Sequence, residues 1–315
     1  MATGHFGGVF PSLPTVCRPD GELDLEGQRR VVRFCIKKGA DGLACLLFAG
    51  EFYKFSDAER KKVASTVIDE AAGRVPVLVG ISHSGTHPAI ELGRHAREEG
   101  AEGVIVTPPY NSNFITEASR GLVSHYRNIA AAVGLPVMVQ DYSSEGSVGL
   151  RPGDLERIER ASRMVRYVKV EGPGHLGRIK RVIEATEGRV GVFGGMGGRF
   201  LIEEMRLGTI GTIPGAEMVD GFVKVFGAMS RGNGGAARKE FRKLLPYLDF
   251  LTRNFESFVS VEKEVLKARG VIGDAAVREP CIPMKPGRSR ELMRILRALI
   301  PDDHDLISGD RTSLS

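Results

Sequence analysis

The chain has 315 residues with 44 basic and 39 acidic side chains, a net charge of +5, and is long enough for one large α/β domain plus a smaller appendage. Lys and Arg are interspersed with Asp and Glu, so no basic block argues for nucleic acid, and no apolar run approaches the roughly 18 residues of a membrane helix. The start, Met1 to Phe10, lacks a basic region followed by an apolar core, and Cys17, Cys35, Cys45 and Cys281 form no CxxC pair, so the expectation is a reduced, soluble, cytoplasmic protein without a disulfide framework or zinc site.

Short β-branched runs alternate with longer stretches of helical spacing. Taken in chain order, the predicted strands are Gly8 to Leu13, Gly42 to Leu47, Val75 to Ile81, Gly103 to Thr107, Pro136 to Asp141, Val165 to Val170, Gly191 to Gly194 and Thr209 to Ile213. Between and after them the spacing predicts helices at Leu25 to Lys38, Ser56 to Ala72, Thr86 to Glu99, Thr116 to Val133, Pro152 to Ala161, Leu176 to Thr186, Phe200 to Arg206 and Asp220 to Met229. Ser56 reads as an N-cap with Glu59 three positions on, and Thr116 as a weaker one. After the loop signal at Arg231 to Gly235 only helical patterns remain, at Ala236 to Leu251, Phe258 to Arg269 and Ser289 to Leu299, and Ser308 to Ser315 read as a frayed polar end.

Eight strands, each apolar on both sides and each followed by a helix, fit an α/β TIM (β/α)8 barrel over residues 1–230, with a C-terminal helical extension over 231–315. A doubly wound open sheet is the competing layout. It usually carries a GxGxxG turn after the first strand, and here that stretch reads Pro14-Thr15-Val16-Cys17.

Barrel active sites lie at the C-terminal strand ends. The sixth strand places Tyr167, Lys169 and Glu171 on one face and Val168 and Val170 on the other. If the first face is the interior, desolvation disfavours an ammonium there, and a neutral lysine becomes a nucleophile towards a carbonyl. From strand position alone, an outward Lys169 paired with a surface carboxylate is an equal alternative. Gly50 permits a tight turn, and the backbone N–H groups around Ala49 and Gly50 could bind a carboxylate, with Phe48 beside them in the expected substrate-binding set; in isolation the loop reads as a plain βα turn with Glu51 facing solvent. Gly194-Gly195-Met196-Gly197-Gly198 ends the seventh strand with backbone able to approach a ligand or, equally, to turn tightly into the next helix, and Ile213 ends the eighth. The seven histidines show no HExxH spacing, so no metal is expected, and His83 near the mouth reads as a satisfied polar side chain.

GVFPSLPT at 8–15, the Gly50-Glu51 pair, TPPYN at 107–111, LPVMVQD at 135–141 and YVKVEG at 167–172 together resemble the dihydrodipicolinate synthase and N-acetylneuraminate lyase superfamily over roughly the whole barrel. The resemblance implies that Lys169 forms an imine with a 2-oxo acid, without any further cofactor. It also implies that Gly50 and its neighbours hold the acid's carboxylate, that Tyr110 is contributed across a subunit interface, and that the protein is a homotetramer built as a dimer of dimers. Three departures matter. Gln140 replaces the catalytic tyrosine of synthases and neuraminate lyases, Phe48 and Ala49 replace the hydroxyl pair before the glycine, and Ser144-Glu145-Gly146 lacks the synthase arginine. Gln140 with Glu171 is similar instead to the arrangement in L-2-keto-3-deoxyarabonate dehydratases, in which Glu171 would shuttle protons and Gln140, which does not titrate near neutrality, would orient substrate or water.

The resulting expectation is a class I lyase dehydrating a 2-keto-3-deoxy sugar acid. A pyruvate aldolase and a hydroxypyrroline-carboxylate deaminase are rivals within the family, and a non-catalytic 2-oxo acid binding protein is the rival from another class. Tyr142, Ser143 and Met196 are expected to bear on the substrate's length and stereochemistry.

Overall fold

The computed structural model describes residues 6–109, 118–142, 150, 152–253, 257–282 and 284–300. The predicted N-cap Thr116 and the polar end after Ile300 lie outside them.

Nine strand segments run parallel among the described residues: β1 (Gly8–Val9), β2 (Ser12–Leu13), β3 (Leu43–Cys45), β4 (Val77–Gly80), β5 (Gly103–Val106), β6 (Val137–Tyr142), β7 (Val165–Glu171), β8 (Gly191–Gly194) and β9 (Gly211–Thr212). The helices that follow are α1 (Leu25–Lys37), α2 (Asp57–Ala71), α3 (Thr86–Glu99), α4 (Ala118–Val133), α5 (Pro152–Ala161), α6 (His175–Ala185), α7 (Leu201–Arg206) and α8 (Val219–Ser230). All eight predicted strands are present, but the first is cut in two at Phe10-Pro11. The cause is that Pro11 has no N–H to donate, although its carbonyl still accepts from Ala44.

That split strand closes the barrel. β1 pairs with β9 on one side while β2 pairs with β3 on the other, and the intervening strands follow in chain order. Phe10 and Ser12 donate to the carbonyls of Thr212 and Pro214, so the seam is hydrogen-bonded along its length. The result is the expected TIM barrel.

Strand alternation sorts the apolar side chains into two bodies. Val77, Val79, Val104, Val106, Val137, Val139, Val168 and Val170 face the helices. Phe6, Phe10, Ala44, Leu47, Leu78, Ile105, Met138, Tyr167, Phe193 and Ile213 fill the interior. Interior aromatics meet edge to face, Phe10 with Phe193 at 5.6 Å and Tyr167 with Phe193 at 6.0 Å between ring centres. Tyr167 also accepts the Phe6 N–H on its hydroxyl at 3.0 Å, which satisfies a buried polar group. The interior is therefore a packed plug, and the C-terminal strand ends lie above it.

Local signals explain the ends of several helices. Ser56 accepts from the Glu59 N–H while Glu59 accepts from the Ser56 N–H, the reciprocal capping expected from the sequence. Beyond α8, the chain adds α9 (Gly234–Thr252), α10 (Phe258–Ala268) and α11 (Pro286–Leu299), the last starting three residues earlier than expected because Pro286 serves as its first residue. Phe241, Leu244 and Leu248 of α9 share one core with Phe222 and Val225 of α8. No described helix is long and apolar enough to cross a membrane.

If the interior plug carries the barrel, Phe193→Ala should cost about 3–5 kcal/mol of unfolding free energy, read as a lower urea midpoint. A loss under about 1 kcal/mol would contradict the packing described.

Candidate functional site

β7, the longest strand among the described residues, carries the polar centre. Its register with β6 sets Tyr167 beside Met138, Lys169 beside Gln140 and Glu171 beside Tyr142. Because Tyr167 belongs to the interior plug and Val168 and Val170 to the helix side, the pleat places Lys169 and Glu171 on the interior face, one layer and two layers above the plug. Both are buried, at 4% and 8% exposure. The inward reading of Lys169 is the one observed.

Lys169 Nζ lies 3.0 Å from Glu171 Oε2. The same oxygen accepts from Gln140 Nε2 at 2.9 Å, and Glu171 Oε1 accepts from the Met196 N–H at 3.1 Å. One carboxyl group thus joins the lysine, the amide and the loop after β8. Charge-assisted bonds of this kind compensate the desolvation that a lone buried carboxylate would suffer. A Cβ on Gly195 would stand 2.4 Å from Glu171 Cγ, so that glycine is what lets the loop close over the carboxylate. Met196 turns through positive φ, and its Sδ lies 3.2 Å from the Gly172 nitrogen. Gly194 is equally constrained, because a Cβ there would strike the buried carboxyl of Glu204.

A second layer fixes the ends of β6 and β7. Arg178 of α6 donates to the carbonyls of Asp141 and Glu171 and pairs with Asp141 Oδ2 at 3.2 Å. Burial pushes the Asp141 carboxyl up to about 6, although Arg178 pulls the other way. Burial, and then the charge of Glu171, raise the Tyr142 phenol.

These groups open into a cavity of about 520 Å³. Of the residues expected at the site, Phe48, Ala49, Gln140, Lys169, Glu171, Met196 and Ile213 line it. Gly50 does not. Its carbonyl accepts from Thr15 Oγ1 at 2.7 Å and a Cβ on it would crowd Leu13 and Leu46, so it shapes the turn from beneath the wall. Gly194 and Gly195 likewise act from behind, through Glu204 and Glu171. Glu51 does not face solvent: it is fully buried and pairs with Lys54 at 2.7 Å and Lys263 at 2.8 Å. His83 accepts the Gly85 N–H on Nδ1 and lies outside the cavity wall. Tyr110 and Ser143 lie outside the described residues.

Half of the opposite wall was not anticipated. Phe258, Ser260 and Glu262 of α10, together with Val277, Pro280, Cys281 and Ile282, line the cavity, so the extension completes the mouth of the barrel. Strand-end reasoning looks only at the barrel. Nothing in the sequence pointed there: Glu262 and Lys263 prove fully buried in a helix that also carries Glu264 and Lys267. Tyr142 also lines the cavity, and its ring sits 5.6 Å from that of Phe48, which is 37% exposed at the rim.

The model of the dihydrodipicolinate synthetase family matches residues 5–299. L-2-keto-3-deoxyarabonate dehydratase of Azospirillum brasilense is 30% identical over 301 residues, covering 95% of this chain and 96% of its own length. A protein of Escherichia coli K12 named as a probable 2-dehydro-3-deoxy-D-pentonate aldolase, YjhH, is 31% identical over 210 residues, 66% of this chain and 68% of its own. Among solved structures, YagE of Escherichia coli K12 in complex with pyruvate superposes with a TM-score of 0.85 at 26% identity, over 94% of this chain and 99% of that one.

Asp141 gives the site a pH signature. With a carboxyl at about 6 in the fold against 3.8 normally, the folded chain holds this proton to higher pH than the unfolded chain. Its contribution to stability is therefore fully present below about 3.8 and lost as pH rises through about 6. Asp141→Asn should remove up to about 3 kcal/mol of that decline, read from urea unfolding at acid and neutral pH. Parallel pH profiles for the two proteins would contradict the burial of a protonatable Asp141.

Proposed function

The chain belongs to the dihydrodipicolinate synthetase family, a family of lyases, and from that premise we propose that it dehydrates a 2-keto-3-deoxy sugar acid of the L-2-keto-3-deoxyarabonate type through an imine on Lys169. The observation that carries the proposal is the buried Lys169 Nζ held 3.0 Å from Glu171 inside the cavity.

The chemistry follows from that distance. Glu171 takes a proton from Lys169, leaving an amine that attacks the C2 carbonyl; it then returns that proton to the carbinolamine hydroxyl, which leaves as water, so that a protonated imine forms and Glu171 is a carboxylate again. The imine draws electrons from C3, so the same carboxylate can remove the C3 proton and form the enamine. The enamine then returns its electrons towards C4 and expels the hydroxyl, which leaves as water once Glu171 gives up the proton it holds. Hydrolysis of the imine releases the product and restores Lys169. No metal or organic cofactor is required, because the imine itself is the electron sink. Gln140 and the Met196 N–H act by orienting Glu171, since neither exchanges protons near neutrality.

Dehydration is preferred to carbon–carbon cleavage because an amide, Gln140, occupies the strand end beside Lys169, and because the dehydratase of Azospirillum brasilense matches nearly the full chain. Release of pyruvate from the keto-deoxy acid would instead identify an aldolase. Phe48 and Ala49, with the turn that Gly50 supports, are assigned to the carboxylate end of the substrate, and Ile213 to the apolar wall. Tyr110 and a homotetrameric, cytoplasmic state remain part of the proposal, as does the division of labour between a barrel (1–230) that carries the amine and an extension (231–315) that closes over it.

Borohydride added with pyruvate should attach one reduced pyruvate to Lys169, and Lys169→Ala should abolish both labelling and turnover. Turnover that survives Lys169→Ala sinks the proposal. Glu171→Gln should slow the labelling without abolishing it and lower kcat about 10²- to 10⁴-fold; unchanged kcat would remove Glu171 from the proton path.

A further inference from the structure

Glu262 is a buried carboxyl group that the imine chemistry does not use. It is fully buried on α10 yet lines the cavity, and neither of its oxygens meets an N–H or O–H donor among the described residues. Across from it stands Glu217, also buried, whose Oε1 accepts from the Tyr247 hydroxyl at 2.7 Å while its Oε2 meets no such donor. Both carboxyl groups converge on Gly215: a Cβ there would lie 2.2 Å from Glu217 Oε2 and 2.3 Å from Glu262 Oε1. The contact left to them is a hydrogen bond with each other.

Two acceptors bond only if one carries a proton, and two carboxylates this close and this buried do not both ionise. Tyr247 donates to Glu217, which favours the charge there, and so the proton resides on Glu262. Burial, and then the neighbouring Glu217, push the Glu262 carboxyl well above the usual range, against the opposing charges of Lys169 and Lys263. A carboxylic acid that spends its hydrogen on Glu217 keeps its other oxygen as an acceptor, on a side chain that forms part of the cavity wall. Beside it, Ser12 pairs with Gly215 across the barrel seam, lines the same cavity, and carries a buried hydroxyl with no partner among the described residues. Buried oxygens that meet no donor, set in the cavity wall beside Phe258, Ile213 and Pro214, are costly unless something donates to them.

We propose that Glu262, with Ser12 beside it, is a specificity subsite that accepts hydrogen bonds from the hydroxyl groups of the substrate's distal carbons, and that the proton shared with Glu217 keeps this subsite uncharged. The proposal rests on the Lys169 imine reading and adds a reason why a hydroxylated keto acid is preferred to a plain one. A site built to bond hydroxyls rejects the analogue that lacks them, because its own polar atoms are left unpaired.

The test compares L-2-keto-3-deoxyarabonate with 2-oxopentanoate, the same carbon chain without hydroxyls, in a Glu171→Gln protein whose turnover is slow, each acid being incubated until labelling no longer rises so that slowed imine formation does not enter the comparison. The readout is the concentration of each acid that half-saturates borohydride labelling of Lys169, with pyruvate labelling as control. The hydroxylated acid should half-saturate at a concentration lower by about tenfold or more. Glu262→Met, which keeps the volume and removes the acceptor, should bring the two acids within about threefold of each other, and Ser12→Ala should narrow the gap without changing pyruvate labelling. Equal half-saturation in the starting protein, or a preference retained in Glu262→Met, overturns the subsite. Should Glu262→Met not fold, Ser12→Ala decides alone, and a preference it leaves intact overturns the subsite. Failure of pyruvate to label Lys169 in the natural protein would instead overturn the imine reading beneath it.

Discussion

Lys169 and Glu171 leave the same strand on the same side, and at 3.0 Å each supplies the opposite charge that makes the other's burial tolerable. Their pairing depends on everything around it. Tyr167, two residues earlier on the same face, belongs to the aromatic plug that closes the barrel below, so the lysine has a dry floor. Arg178 ties the end of β7 to the end of β6 from the helix side, which fixes how far Glu171 reaches into the mouth. The Gly195-Met196 turn then folds over the carboxyl from β8. A buried pair of this kind contributes little net stability; what it supplies is a carboxyl held in contact with an amine before any substrate arrives, the preorganisation that proton transfer requires.

The extension beyond the barrel has the character of a wall. α10 brings Phe258 and Ser260 to the cavity and sends Lys263 to Glu51 in the loop after β3, while Lys263 also donates to the Ala276 carbonyl within the extension. That bond network ties one side of the mouth to the other through buried ion pairs. Lys54 and Arg278 extend the same connection outward, the first through Glu51 and the second through Glu59, whose carboxyl Arg278 holds down at about 2. The site is thus enclosed by segments more than 200 residues apart in sequence.

How much of this was legible before the structure depends on the kind of signal. The barrel was, because alternating periodicities of two and 3.6 report which faces are buried, and the inward face of β7 follows from the pleat once Tyr167 is inside. Strand lengths were less so: β2 and β9 are two residues each, since apolar runs mark burial, and hydrogen-bonded pairing stops earlier than burial does. Gly50, Gly194 and Gly195 were expected to meet the substrate, whereas in the structure they lie behind the cavity wall and their work is steric. Each makes room for a neighbour, Leu46, Glu204 and Glu171 in turn, and a sequence does not show which atom a missing Cβ would have struck. Glu51, Glu262 and Lys263 were illegible for the opposite reason, because charged residues default to solvent and only long-range partners reveal otherwise.

The central claim is that one amine and one carboxyl act together on a bound 2-oxo acid, and it is tested most directly by following the methyl protons of pyruvate by NMR in deuterium oxide. Imine formation at Lys169 followed by proton removal at C3 exchanges those protons for deuterons without needing the true substrate. The account predicts exchange with the natural protein, none above background with Lys169→Ala, and strongly slowed exchange with Glu171→Gln. Exchange by Glu171→Gln at the natural rate, or no exchange by the natural protein, would contradict it.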